Sequence, residues 1–126
     1  MSDDRLSPPP LEDLDHVTAE LLELALRTAC LCGSDVEWDE HVRYAGAAGL
    51  TSDEIERVRA GPDAGWDGRE RSLLQAADEL HHEQVITEVT WSALVAHHSR
   101  AALVELLYVV GQYTMLSMVA NAIKRR

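Results

Sequence analysis

The C-terminal run from Ala101 to Ile123 constrains the fold of this chain more than any other stretch. It is mostly apolar, and as a helix it would be about 35 Å long at 1.5 Å per residue. A single chain of 126 residues cannot cover such a helix on all sides. The run is also long enough to cross a bilayer, but Glu105, Gln112 and Asn121 argue against a membrane span. We therefore expect a helix that is buried on nearly all sides, in part by other copies of the chain.

Self-association should use the apolar side chains near the end of this helix, since a large exposed apolar patch usually marks an interface. The candidates are Met115, Leu116, Met118, Val119 and Ile123. A monomer with this helix at its centre is the alternative.

Upstream of this run, apolar residues recur at steps of three and four, as in amphipathic helices. The first helix is predicted from Leu11 to about Cys32, and the second ends at Gly49. Predicted N-caps are Ser34 or Asp35, Thr51 (in a capping box with Glu54), Asp67, Thr87 and Ser99. No stretch alternates with period two for long enough to be a strand. The pattern predicts an all-α domain of about six helices over residues 11–126, preceded by a disordered or extended arm over residues 1–10.

The composition excludes several function classes. A net charge of −11 disfavours nucleic acid and anionic lipid as partners, because both need a basic surface. Hydrophobic residues make up 46%, which argues against disorder despite that charge. The start of the sequence is polar and proline-rich, without signal-peptide character, so we expect a cytoplasmic protein. In that compartment Cys30 and Cys32 should be reduced, and we expect them to be buried.

The stretch from Gly33 to Tyr44 carries the candidate chemistry. In a helix, Glu37 and His41 share one face, with Ser34 one turn earlier and Tyr44 one turn later. The opposite, solvent-facing side takes Asp35, Asp39 and Arg43, and the apolar flank is formed by Trp38, Val42 and Ala45. A polar strip bordered by apolar side chains is typical of a buried acid–base site. An ordinary surface pair of Glu37 and His41, worth a few tenths of a kcal/mol, is the alternative and is commoner for this spacing.

The segment LALRTACLCGSDVEWDEHVRYAGAAGLTSDEIERV, residues 24–58, resembles the carboxymuconolactone decarboxylase family, which includes the alkylhydroperoxidase D-like proteins. The later segments DELHHEQVITEVTWSAL and VELLYVVGQYTMLSMVANAI are similar to the C-terminal half of that family. The most specific feature is Glu37-x-x-x-His41-Val42-Arg43 followed by Ala48-Gly49-Leu50. The resemblance implies an all-helical subunit that assembles as a trimer or hexamer, with the active site near a subunit interface.

Two departures from the peroxidases of that family bear on the chemistry. Those members carry a C-x-x-C pair ending four residues before the histidine, where this chain has Ser34 and Glu37. They also relay protons through an acidic residue whose position falls here on Leu22, with Glu20 and Glu23 flanking it. A peroxidatic thiol needs a second thiol to resolve it, and Cys30 and Cys32 are expected on different faces of the first helix. Redox activity is therefore disfavoured.

What remains is non-redox acid–base chemistry, as in the decarboxylase branch, which also places a glutamate four residues before the histidine. We expect His41 to move the proton while Glu37 orients the imidazole or acts as an acid. The reaction would be decarboxylation, isomerisation or cyclisation of a lactone or another activated carbonyl compound. Predicted substrate contacts are Ser34, Trp38, Tyr44, His81, Gln112 and Tyr113, and no metal or cofactor is expected. Two alternatives remain: a thiol-dependent peroxidase using Cys30 or Cys32, and a non-catalytic oligomer that binds small molecules.

Overall fold

The computed structural model describes residues 14–124, and over this range it contains helices and no strand. The predicted arm at residues 1–10 lies outside the described residues. The helices, with bounds as observed, are α1 Leu14–Leu31, α2 Asp35–Ala47, α3 Ser52–Ala60, α4 Gly68–Glu83, α5 Glu88–Val95 and α6 Arg100–Val119. A π-helical turn, Ala120–Lys124, extends α6. The prediction of an all-α chain of about six helices is confirmed.

The helix starts follow the predicted capping chemistry. Each N-cap side chain accepts a hydrogen bond from a backbone N–H of the first turn, which would otherwise lack a partner. The five caps are Ser34, Thr51, Asp67, Thr87 and Ser99. The capping box at α3 is complete, because the Glu54 carboxylate also accepts the Thr51 N–H at 3.0 Å. Gly49 follows the end of α2 with φ of 99°, a conformation that suits glycine.

The first helix is the centre of the domain, packing against α2, α3, α4 and α6. One buried apolar cluster joins α1 to α4, α5 and α6 through Leu24, Leu73 and Leu103. A second joins α1 to α2, α3 and α4 through Leu26 and Leu74. Since α1 contributes to both clusters, it fixes the position of α2, which carries the candidate chemistry.

A buried ion pair ties α1 to α4. Arg27 is only 8% exposed, and its guanidinium donates to both oxygens of Asp78 at 2.6 and 2.9 Å. It also donates to the main-chain carbonyls of Val58 and Arg59 at the end of α3. One side chain thus joins three helices, and its charge is compensated by a bidentate carboxylate.

Within one chain, α6 is far less covered than the sequence pattern indicated. Arg100–Ile123 is long and apolar enough to cross a membrane by length and composition, and only 22% of its most apolar window is buried. The exposed large apolar side chains of this helix and its extension are Leu107, Tyr108, Met115, Met118, Val119 and Ile123. The expectation of a helix covered on nearly all sides is not met by one chain, and coverage by further copies stays a prediction.

Two burial predictions were wrong. The apolar pattern of Trp91, Leu94 and Val95 predicts that all three side chains face inward, but Val95 is 51% exposed, because the two-turn helix α5 turns its Thr90 and Leu94 side inward. Cys30 and Cys32 are free, as expected, but they are half-buried rather than fully buried. For Cys32 the reason is a cavity beside the end of α1.

Candidate active site

The Glu37–His41 strip faces the protein interior. Ser34 is 2% exposed, and its hydroxyl caps α2 by accepting the Glu37 N–H at 3.2 Å. The packing of α2 leaves Glu37 and His41 only 7% and 6% exposed. The side chains predicted to face solvent, Asp35, Asp39 and Arg43, are indeed exposed. Glu37 and His41 are therefore a buried pair rather than an ordinary surface pair.

The hydrogen bonding of His41 defines its tautomer. Its Nδ1 lies 2.9 Å from the main-chain oxygen of Glu37, and a carbonyl can only accept, so Nδ1 carries the hydrogen. The same nitrogen is 3.6 Å from Glu37 Oε2, close enough for the carboxylate to stabilise an imidazolium. In the neutral ring, Nε2 then holds the lone pair, and it has no hydrogen-bond partner among residues 14–124. This is the arrangement a general base needs.

Two tyrosines border the imidazole. The ring of Tyr113 on α6 meets His41 edge-on at 4.7 Å between centroids, and Tyr44 does the same at 5.5 Å. Burial raises the pKa of Tyr113 above 10, and the carboxylates of Glu37 and Glu40 and the Tyr44 phenol raise it further. Tyr113 therefore remains a neutral phenol that can donate a proton or hydrogen bond. Tyr44 donates to Glu40 at 3.2 Å and is half exposed.

Trp38 forms the apolar wall on the other side of α2. It is 8% exposed and belongs to the α1–α2–α3 side of the core. The guanidinium of Arg59 lies 4.2 Å above its ring, a cation–π contact that covers the indole from solvent. Trp38 is thus fixed in place on the side of α2 that faces α3.

The structure separates two of the predicted substrate contacts from His41. His81 lies beside Cys32 in a cavity between α1, α4 and α6, with Cys32 Sγ 3.9 Å from His81 Nδ1. Gln112 is exposed and lines a shallow concavity with Tyr108 and Met115. The pattern did not reveal the Cys32–His81 contact, because the two residues are 49 positions apart and neither periodicity nor spacing links them.

The acidic side chains that flank Leu22 have distinct surroundings. Leu22 itself packs against the α1–α2–α3 part of the core. Glu20 pairs with Arg69 at 2.7 Å and His98 at 3.1 Å. Glu23 is 4% exposed, and its Oε2 has no hydrogen-bond partner among the described residues. Burial, followed by the nearby Glu70, Glu20, Glu54 and Asp67, raises the pKa of Glu23 to about 8.

Three concavities formed by the described residues do not include the Glu37–His41 pair. They are the cavity beside Cys32, a small pocket between α1, α4 and α6, and the shallow concavity on α6. Among residues 14–124 no group of three His, Cys, Asp or Glu side chains is arranged to hold a metal ion. The pair is therefore preorganised, and none of these three concavities surrounds it.

Comparison with known proteins identifies the fold. No family model and no curated protein matches the sequence. Among solved structures, the chain is similar to a crystal structure of a protein of unknown function from Agrobacterium tumefaciens, for which a role as the antioxidant defence protein AhpD has been suggested. The TM-score is 0.80, with 20% sequence identity over 92% of this chain and 84% of that chain. This chain thus has the AhpD-like all-α fold.

Proposed function

We propose that this protein is a non-redox acid–base enzyme of small-molecule metabolism, similar to carboxymuconolactone decarboxylase. His41 is the group that moves the proton, and Glu37 orients and stabilises its ring. The observation that supports this most directly is the buried imidazole with Nδ1 bonded to the Glu37 carbonyl, which leaves Nε2 for a substrate. The reaction class is proton transfer at carbon during decarboxylation, isomerisation or cyclisation of a lactone or activated carbonyl compound.

The surroundings of the pair suit such a reaction. Trp38, Tyr44 and Tyr113 provide a largely apolar environment, in which a carboxylate substrate is poorly solvated and loses CO₂ more readily. Tyr113 is a neutral phenol positioned next to the imidazole, and it can donate a hydrogen bond to an enolate oxygen. Ser34 contributes by fixing the start of α2, since its hydroxyl accepts the Glu37 N–H.

We further propose that a second copy of the chain completes the substrate pocket. Tyr113 contacts His41 on one side of α6, and the exposed apolar face of the same helix includes Met115 and Val119. Burying that face in a trimer or hexamer would cover it and place another subunit beside the site. A helix so apolar and so little covered within its own chain supports this arrangement.

A thiol-dependent peroxidase, which the sequence left as an alternative, has less support. Ser34 and Glu37 occupy the positions where that chemistry needs thiols. The remaining thiols face different surroundings, because Cys30 packs against the α1–α2–α3 part of the core while Cys32 lines the cavity. A disulfide between them would require α1 to unwind at its end.

The test follows the exchange of carbon-bound protons and the loss of CO₂. These readouts report on proton transfer at carbon in any compound of a panel, so the natural substrate need not be known in advance. The native protein is incubated in D₂O with a panel of γ-lactones and β-keto acids, and NMR follows deuterium incorporation and decarboxylation. We expect His41→Ala to reduce the rate on any active compound by about 10²–10⁴-fold. Glu37→Gln should reduce it less, because the main-chain carbonyl still orients Nδ1.

A matched control is His97→Gln, which removes an exposed imidazole. It should leave the rate unchanged, and circular dichroism and light scattering should show that all three variants keep the native fold and assembly. Unchanged rates in folded His41→Ala, or no turnover of the whole panel by the native protein, would contradict the proposal and favour the non-catalytic binding role.

A further inference from the structure

A cavity of about 630 Å³ opens between the C-terminal ends of α1 and α4 and the C-terminal half of α6. Its apolar wall is formed by Leu80, Leu107, Val110 and Met118. The polar groups at the cavity include Cys32, His81 and Asn121. The volume lies within the range of small-molecule sites, and the lining combines apolar side chains with several polar groups. This α1–α4–α6 cavity is separate from the Glu37–His41 pair, which does not line it.

A nucleophile and a base meet in this cavity. Cys32 Sγ lies 3.9 Å from His81 Nδ1, within the range of a thiol–imidazole hydrogen bond. Two features of α1 and α4 place them: Cys32 follows the last residue of α1, and His81 is in the last turn of α4. Asn121 donates to the main-chain oxygen of Cys32 at 3.0 Å, which holds the end of α1 against α6. A thiol with a base in reach is the basic requirement of nucleophilic catalysis by cysteine.

The pair is uncharged at neutral pH. Burial raises the pKa of the Cys32 thiol above 9.0, and the Thr114 and Ser117 hydroxyls only partly oppose this. Burial is also the main reason that the pKa of His81 is lowered below 6.5; His82 and Arg27 lower it further, and Asp78 opposes them. The sulfur is therefore a neutral thiol that loses its proton to His81 only when it attacks. A peroxidatic cysteine, by contrast, is a thiolate before it meets its substrate.

We propose that the α1–α4–α6 cavity is a second ligand site, in which Cys32 adds covalently to a small, mostly apolar molecule with a carbon–carbon double bond conjugated to a carbonyl group. The sulfur forms a bond to the β-carbon while the π electrons of the double bond move toward the carbonyl. His81 takes the thiol proton and returns it to the α-carbon. The addition needs no oxidant or reductant, and its atoms and electrons balance.

The chemistry of the cavity favours this ligand class. Sulfur is a soft nucleophile that prefers a conjugated carbon, and the leucine, valine and methionine side chains favour an apolar molecule. The developing negative charge on the carbonyl oxygen needs a donor. The Asn121 amide has two N–H groups, and only one of them is used by the Cys32 carbonyl. The other remains for the ligand.

N-ethylmaleimide is the probe, because it is a small conjugated carbonyl compound that alkylates thiols. Cys30 and Cys32 lie on one peptide, so fragmentation mass spectrometry of that peptide from the native protein, in its solution assembly, gives a second-order rate constant for each thiol. We expect Cys32 to react at least about tenfold faster than Cys30, because the His81 imidazole lies beside the Cys32 sulfur. His81→Gln should reduce the Cys32 rate about tenfold or more, whereas His97→Gln, which removes an exposed imidazole that does not line the cavity, should leave it unchanged.

The pH profile provides a readout that needs no variant. If His81 accepts the proton, the Cys32 rate should stay nearly constant between about pH 7 and pH 8.5, since both groups are neutral over this range. An unassisted thiol reacts through its thiolate, so its rate rises about tenfold per pH unit. Labelling of Cys32 no faster than Cys30, a tenfold rise per pH unit, or an unchanged rate in folded His81→Gln would each overturn the proposal. His41→Ala should label like the native protein, so this site is tested independently of the proposed acid–base function.

Discussion

Glu23→Gln is expected to stabilise the protein at alkaline pH and to flatten its pH dependence. Glu23 is 4% exposed and its Oε2 has no hydrogen-bond partner among residues 14–124. Its surroundings are acidic, with Glu70 as the largest source of repulsion after burial itself. Keeping this carboxyl protonated is therefore favourable in the folded state, and ionising it costs free energy.

The magnitude follows from linkage. The folded protein holds the Glu23 proton up to about pH 8, while an ordinary glutamate releases it near 4.5. Between these values the folded state binds more protons than the unfolded state, so the free energy of unfolding falls as pH rises. The full difference corresponds to about 5 kcal/mol, of which about 4 kcal/mol should be lost between pH 5 and pH 9. Glutamine has no such proton, so the variant should gain stability over the native protein by about this amount across the same range.

Urea unfolding followed by circular dichroism at several pH values measures this difference directly. Glu56→Gln is the matched control, because Glu56 is 67% exposed and its replacement should leave the pH dependence unchanged. The comparison between variant and native protein removes the contribution of other titrating groups. If the difference in unfolding free energy between Glu23→Gln and the native protein changes by less than about 1 kcal/mol from pH 5 to pH 9, burial does not keep the Glu23 carboxyl protonated.

Two further outcomes test the packing and the assembly. Asp78→Ala should reduce the free energy of unfolding by about 3–5 kcal/mol in urea titrations, since it leaves the buried Arg27 guanidinium without its carboxylate. The control is Asp63→Ala, which breaks an exposed ion pair and should reduce that free energy by less than about 1 kcal/mol. Equal effects of the two would contradict the importance of burial. Met115→Asp should dissociate the proposed oligomer, as measured by light scattering, whereas Val89→Asp, at an exposed position on α5, should not. A native protein that is already monomeric at micromolar concentration would refute the proposed interface.

The sequence alone predicted the helices because their signals are local. Thr51 and Glu54 are three residues apart, and their hydrogen bonds form as soon as the backbone turns, whatever the rest of the chain does. Helical geometry likewise places Glu37 and His41 on one face of α2. The pattern left open whether that face is buried, since an exposed pair is commoner at this spacing, and the structure shows that it is buried.

Only the tertiary structure decided which distant side chains meet. His81 was expected to reach the His41 pocket, yet the packing of α4 on α1 places it beside Cys32. Likewise, Glu23 is one of two glutamates on α1, and its burial depends on where α3 and α4 pack against that helix. Such contacts join residues far apart in the chain, so they depend on the angles and distances between packed helices, which the pattern within each helix does not contain.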